Sequence, residues 1–191
     1  MITHSGVWVD ADTGVPTPED IAIQLGRTTR WAGTTSRYYS VLHHSMVCLR
    51  IAATLSSDAT TLLACLLHDA HEAMTGDIPS PIKPEAIKAI QAKIDARIGL
   101  SLNLPALLSG EAEHRGLVDA VDERALLAEA SLLLAGPAWK YFDTPYPTDL
   151  LVVSQVIGEY PKYEDYLEID GRMIRDFLAL RRSLAEGAKL R

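Results

Sequence analysis

The run LLACLLHDAHEAMTG, residues 62–76, is apolar for its first six positions and then turns to residues that carry chemistry. Leu62, Leu63, Leu66 and Leu67 share one face of a helix, by their three- and four-residue spacing. His68 and Asp69 follow at the polar edge of that helix. Glu72 comes four residues after His68 and three after Asp69, on the same face. An ionised Asp beside a His in such a place is costly unless something pairs it. A divalent metal would pair it. Neighbouring helical residues point about 100° apart, so both can touch one ion lying between their directions. Glu72 could then reach a water at the ion without binding the ion itself.

An isolated His-Asp pair is more often a local cap or ion pair than a ligand pair, because so short a motif is common. The rest of the chain changes that balance. His44 falls in a preceding helical pattern and Asp122 in a following one. Three helices then offer an imidazole, an imidazole with a carboxylate, and a carboxylate. This nitrogen and oxygen set suits Mn, Co, Fe, Zn or Mg, with positions open for water and substrate.

Working outward, Thr17 caps a first helix with Pro18 at its first position and Asp20 completing a Thr-x-x-Asp box; Gly26 ends it. Residues 27–37, RTTRWAGTTSR, read as a loop that carries Arg30 and Trp31. A second helix spans about 38–53, and a third about 58–76. The prolines at 79, 81 and 84 exclude a helix over 77–84. Further helices are expected at about 85–98, 111–135, 148–158 and 171–187. Only residues 1–14 suggest strand, as a short β-hairpin: Gly6-Val7-Trp8-Val9 and then a turn at Asp10–Gly14. The fold class is therefore all-α, one helical bundle with a short N-terminal β-hairpin.

With these residues in view, the H…HD…D pattern resembles the HD-domain phosphohydrolase superfamily. The run HDAHEAMTGDIPSPIK, residues 68–83, resembles the corresponding stretch of the YfbR-like 5'-deoxynucleotidases, as do Arg30-Trp31 and YYSVLHHS, residues 38–45. The layout from Asp20-Ile21-Ala22 to His44-Ser45 is similar to phage-borne HD hydrolases, some of which are dATP triphosphohydrolases. The resemblance covers about residues 17–135. It implies that His44, His68, Asp69 and Asp122 hold the metal. Asp122 is placed by the spacing D-x-x-A-L-x-x-E, from Asp122 to Glu129, with Asp119 as the competing choice. Glu72 matches the catalytic acid/base, which manages the proton of the attacking water together with Asp69. Arg30 and Trp31 match residues that orient the phosphate and shape the sugar and base pocket. Asp77, Ile78, Pro79 and Ser80 match a loop that touches substrate.

Each role has a bland counterpart. Arg30 can fork onto phosphate oxygens; Lys83 could do the same or lie in solvent. Trp31 is a wall for a base or deoxyribose, or an ordinary core residue. Asp77 accepts a hydrogen bond from a sugar 3'-hydroxyl or caps the chain after Gly76. His43 is expected to lie behind the ligands or in solvent, and His4, His71 and His114 at the surface or partly buried. Trp8 and Trp139 are read as packing residues.

The implied activity is metal-dependent cleavage of the 5'-phosphate ester of a 2'-deoxynucleotide. The product is the deoxynucleoside with either phosphate or triphosphate. An HD phosphodiesterase or alarmone hydrolase fits the Arg30-Trp31 and TGDIPSP stretches less well. A non-catalytic nucleotide-binding module would have no need of Glu72.

The bulk numbers agree with this reading. The chain has 191 residues, 23 % charged and 48 % hydrophobic, enough for one domain with a real core. Its net charge of −7 and lack of a basic face argue against a nucleic-acid polymer as partner. A small deoxynucleotide remains compatible, since a metal and a few cations offset its charge locally. No apolar run reaches membrane-spanning length, and a cytoplasmic location follows by default. Cys48 and Cys65 are expected as reduced core residues. The apolar segments Leu150–Val153 and Phe177–Leu180 exceed the evident need of one small core, so a homo-oligomer, at least a dimer, is expected.

Overall fold

The computed structural model describes residues 1–10, 12–136, 149–160 and 166–189, with residues 166–170 described as helix only. Among the described residues eight α-helices run in order: α1 Pro18–Arg27, α2 Val41–Ala53, α3 Ala59–Leu67, α4 Glu72–Thr75, α5 Glu85–Ser101, α6 Arg115–Leu133, α7 Leu150–Glu159 and α8 Tyr166–Lys189. Trp139 lies outside the described residues.

The caps explain the starts. Thr17 accepts from the Asp20 amide, and the Asp20 carboxylate returns the bond, so the expected box opens α1. Ser40 and His43 form the equivalent pair at α2, which therefore begins at Val41 rather than Tyr38. Asp58 caps α3 through the Thr61 amide.

Helix α2 is central. From Val41 to Leu49 every residue is buried, as are Ile51 and Ala52. A helix apolar on all sides belongs in a core, and α1, α3, α6 and α7 all pack on it. Burying Leu42, Val47 and Ile51 stabilises by about 1.5–3 kcal/mol each. Helix α8 lies across α1 and α3 and contributes Met173, Phe177, Ala185 and Ala188 to the core. Much of the apolar content of α7 and α8 is thus used within the chain: Val153, Val156 and Phe177 are inaccessible, whereas Leu151 stays 69 % exposed. Both cysteines are free and buried. Among the described residues no helix is long and apolar enough to cross a membrane.

One expectation about the helices needs correction. The third helix does not continue to Gly76. It stops at Leu67, passes through a turn at His68–His71, and resumes as α4. In a continuous α-helix the Asp69 amide would bond the Cys65 carbonyl. Here the His68 ring Nδ1 takes that carbonyl, at 2.9 Å. The backbone tightens accordingly to i→i−3 bonds, from Ala70 to Leu67 and from Glu72 to Asp69, both 2.9 Å. Gly76, at φ 76°, then ends α4 with its amide on the Glu72 carbonyl.

At the N-terminus the structure shows an isolated antiparallel bridge between Ile2 and Trp8, with the Thr3 amide on the Val7 carbonyl and the Val9 amide on the Met1 carbonyl, both at 2.9 Å. The turn after it is real: Asp10 accepts from the amides of Asp12 and Thr13. Trp8 is 59 % exposed rather than packed, with its indole N–H donating to Asp10. The segment is held instead by the inaccessible Asp20, which accepts from the Ser5 amide and hydroxyl, both at 2.7 Å, and from Thr17.

That anchorage titrates. Burial alone would raise the Asp20 carboxyl, but the Ser5 and Thr17 hydrogen bonds bring it down to about 2. A depressed acid contributes stability above its unfolded pKa, near 4, and loses it as the pH falls towards 2. Asp20→Asn should cost about 1–2 kcal/mol at pH 7, the usual worth of a capping residue. In urea titrations, the gap between wild type and variant should narrow as the pH is lowered from 5 towards 2. A gap independent of pH would contradict this account.

Candidate functional site

The turn at His68–His71 puts two donors at one point. In an i→i−3 turn, residues three apart eclipse each other, so Glu72 stacks over Asp69. Helix α2 brings His44 and α6 brings Asp122. His44 Nε2 lies 3.2 Å from His68 Nε2, 3.1 Å from Asp122 Oδ1 and 3.6 Å from Asp69 Oδ2. His68 Nε2 lies 3.3 Å from Asp69 Oδ2 and 3.8 Å from Asp122 Oδ1. Ligands about 2.1 Å from a common centre stand about 3.0–3.4 Å apart in octahedral or tetrahedral geometry. His44, His68 and Asp122 form a group that could hold a metal ion, and Asp69 Oδ2 lies 3.3–3.6 Å from the two imidazoles beside it. Asp122 is the most open of the four, its side chain 44 % exposed.

Their protonation follows from this closeness. Burial alone would raise the Asp69 and Asp122 carboxyls, but His68 and His44 hold both well below the usual carboxylate range. Burial opposes charge on His68, yet Asp69 and Asp122 push its pKa well up. His44 is raised too, by Glu129 and Asp122, against burial and Arg30.

Cys48 Sγ also approaches, at 3.4 Å from His44 Nε2, and belongs with His44, His68 and Asp122 to a group that could hold an ion. Burial, with Asp122 and Glu129 nearby, pushes its thiol well up. A thiol is a poor ligand compared with the ionised Asp69 carboxylate.

Arg30 comes from the loop after α1. The Arg30 amide donates to the Tyr39 carbonyl at 2.9 Å, which closes the stem of the loop. Its side chain is buried. Nε donates to Glu129 Oε2 at 2.9 Å, while Nη1 lies 3.5 Å from Asp69 Oδ2 and Nη2 3.7 Å from Asp122 Oδ1. Trp31 and Ala32 adopt left-handed φ values of 59° and 49°. Such a conformation costs a non-glycine residue about 1–2 kcal/mol. Asp77 Oδ2 helps hold it by accepting from the Trp31 amide at 3.2 Å.

Glu72 is buried and its Oε2 has no hydrogen-bond partner among the described residues. Burial pushes its carboxyl up and Asp69 and Asp77 push it further, to about 9, against Arg30 and Lys83. Lys83 reaches back from beyond the proline-rich segment to stand 3.6 Å from Glu72 Oε1.

The structure thus gathers Arg30, His44, His68, Asp69, Glu72, Lys83 and Asp122, with Trp31 and Asp77 joined beside them. It does not gather the rest of the 77–83 segment. Pro79 and Ser80 are exposed and Ile78 half-buried, and no hydrogen bond among the described residues ties them to the cluster. Asp119 pairs with Arg115 on the exposed side of α6 and is not at the site. His43 is not solvated. It is buried, bonded to Ser40 and stacked on Tyr39, and burial lowers it to about 4. His71 is buried against Asp95, both of whose carboxylate oxygens lie 3.0 Å from its Nδ1.

Sequence reasoning gave no role to Glu129 or Tyr39. Glu129 is 0 % exposed and accepts from Arg30 Nε, from Tyr39 OH at 2.9 Å and from His44 Nδ1 at 2.6 Å. One signal was available: a Glu seven residues after Asp122 returns to the same face of its helix.

The chain is 34 % identical over 108 residues to the uncharacterized protein YfdR of Escherichia coli strain K12, covering 55 % of this chain and 57 % of that one. It is 37 % identical over 105 residues to an uncharacterized protein of Rhodobacter capsulatus, covering 49 % and 54 %. The match thus spans a little over half the length of these curated relatives. The profile of the HD domain matches residues 22–120, which include Arg30, His44, His68, Asp69 and Glu72. The chain belongs to the HD domain family, whose members are generally metal-dependent hydrolases.

Proposed function

We propose that this protein hydrolyses the 5'-phosphate ester of 2'-deoxynucleotides, releasing the deoxynucleoside with phosphate or, from a triphosphate, with triphosphate. The observation that carries the reading is one arrangement of charge. A buried guanidinium and a buried carboxyl, one of whose oxygens has no hydrogen-bond partner among the described residues, lie beside the same cluster of two imidazoles and two carboxylates. Mn, Co, Fe, Zn or Mg held by His44, His68, Asp69 and Asp122 would polarise a phosphoryl oxygen and lower the pKa of a water.

The other groups divide the work. Arg30 has its Nε committed to Glu129, which leaves Nη1 and Nη2 to meet two phosphate oxygens. Glu72, protonated over the neutral range, can give its proton to the leaving 5'-oxygen. Lys83 stands behind Glu72 Oε1 and stabilises the carboxylate left after that transfer. Trp31, next to Arg30, offers an apolar face to the sugar. Asp77 holds that loop through the Trp31 amide. A homo-oligomer in the cytoplasm acting on small deoxynucleotides, rather than on a nucleic-acid polymer, belongs to the same proposal.

The direct test is release of phosphate or triphosphate in Mn or Co across dNMPs, dNTPs and their ribonucleotide counterparts. Turnover of deoxynucleotides is expected; turnover confined to phosphodiesters or alarmones would overturn the reading. Glu72→Ala should keep metal and fold and lose turnover by roughly 10²–10⁴-fold. Loss of metal in this variant would make Glu72 a ligand instead.

Sugar discrimination gives a second test. A ribose 2'-hydroxyl against the indole loses water without gaining a partner, about 1–3 kcal/mol. That corresponds to roughly 5- to 150-fold preference for the deoxy sugar. Trp31→Ala should narrow the ratio between dAMP and AMP, or between dATP and ATP, with metal binding intact. Arg30→Ala should damage both sugars alike. An unchanged ratio in Trp31→Ala would assign Trp31 to packing alone.

A further inference from the structure

Glu129 stands behind the cluster rather than in it. It lies on α6 two turns after Asp122, with no solvent access. Its two oxygens accept three hydrogen bonds from three residues: Arg30 in the loop after α1, Tyr39 at the end of that loop, and His44 on α2. Each bond has a consequence at the site. A carboxylate only accepts, so His44 Nδ1 carries a proton towards Glu129, and Nε2, which faces His68 and Asp122, is the nitrogen left for an ion. The Arg30 bond uses Nε alone, so the two terminal nitrogens point past it towards Asp69 and Asp122.

We infer that Glu129 is a positioning residue that sets two functions at once: the metal-binding tautomer of His44 and the phosphate-facing orientation of Arg30. The inference rests on the hydrolase reading for its second half, and on geometry alone for its first. Carboxylates behind metal-binding histidines generally raise metal affinity by fixing the ring, and their loss costs about 10–100-fold. A shared carboxylate also couples the two halves. A change that disturbs it must weaken metal binding and phosphate binding together, although it touches neither ligand.

Glu129→Gln keeps the shape but brings an amide N–H₂ against donors. Its metal affinity can be read without substrate, by calorimetric titration with Mn(II) or Co(II) beside the wild type. The expected result is affinity lower by about 10–100-fold. The KM for the best-turned-over nucleotide should rise as well, because the Arg30 fork is released. Tyr39→Phe removes one donor and leaves the His44 and Arg30 bonds, so its metal affinity should stay within about twofold of wild type. Metal affinity unchanged in Glu129→Gln, with only a lowered melting temperature, would reduce Glu129 to a core residue and overturn the inference. If the Gln variant does not fold, Glu129→Asp decides: it keeps the charge but shortens the reach. Weakened metal binding supports the inference and wild-type binding overturns it. A wild type that turns over no deoxynucleotide would sink the proposed function and the Arg30 half, while the metal titration would still decide the His44 half.

Discussion

The constraint on which the rest of the structure depends is electrostatic. Three carboxylates, Asp69, Asp122 and Glu129, lie within about one hydrogen-bond length of two imidazoles and a guanidinium, largely out of water. Each of these groups would be costly to bury by itself. Together they satisfy one another, and removing one partner of such a set typically costs 3–5 kcal/mol by leaving a charge unmatched. The helices are arranged to make this possible. Helix α2 supplies His44 from the centre of the core, α6 supplies Asp122 and Glu129 from one face, and the break after α3 turns His68 and Asp69 inward. The apolar packing around α2 keeps these donors rigid, and rigidity is what a metal or a phosphate would exploit.

The same arrangement separates protonation states among like groups. Asp69 and Asp122 are held ionised by the imidazoles beside them. Glu72, a few ångströms away, is buried beside other carboxylates, with Lys83 3.6 Å off, and keeps its proton. Carboxyl groups pushed apart in this way take different roles in acid–base chemistry. The left-handed turn at Trp31 and Ala32 is a further local strain placed beside the site, and it fixes where Trp31 stands relative to Arg30.

Much of this was legible in the sequence, for specific reasons. The cap at Thr17, the proline-bounded gap after Gly76 and the apolar spacing of α3 all report local physics, and the helices fall close to where they predict. That His44, His68, Asp69 and Asp122 would converge was legible because metal-binding residue types stand out against apolar helices and because their pattern resembles a known family. What was not legible depends on contacts between distant segments. The break at His68 arises because a side chain takes a backbone carbonyl, which periodicity does not encode. The N-terminal segment alternates like a hairpin, but nothing in that alternation reports that Asp20 anchors it through Ser5. Of the two places open to His43, burial behind the site is the one found, because Tyr39 and Tyr160 pack on it, whereas Trp8, expected to pack, is exposed. Glu129 closed the spacing that placed Asp122, but its role depends on three donors from elsewhere in the chain converging on it.

The central claim is that two imidazoles and two carboxylates share one ion. Anomalous diffraction from crystals grown with Mn(II) or Co(II) tests it most directly. The account predicts a single strong peak bonded to His44 Nε2, His68 Nε2, Asp69 Oδ2 and Asp122 Oδ1, with Cys48 Sγ outside bonding distance. A peak that includes the Cys48 sulfur and excludes Asp69, or no peak at this cluster at saturating metal, would contradict it.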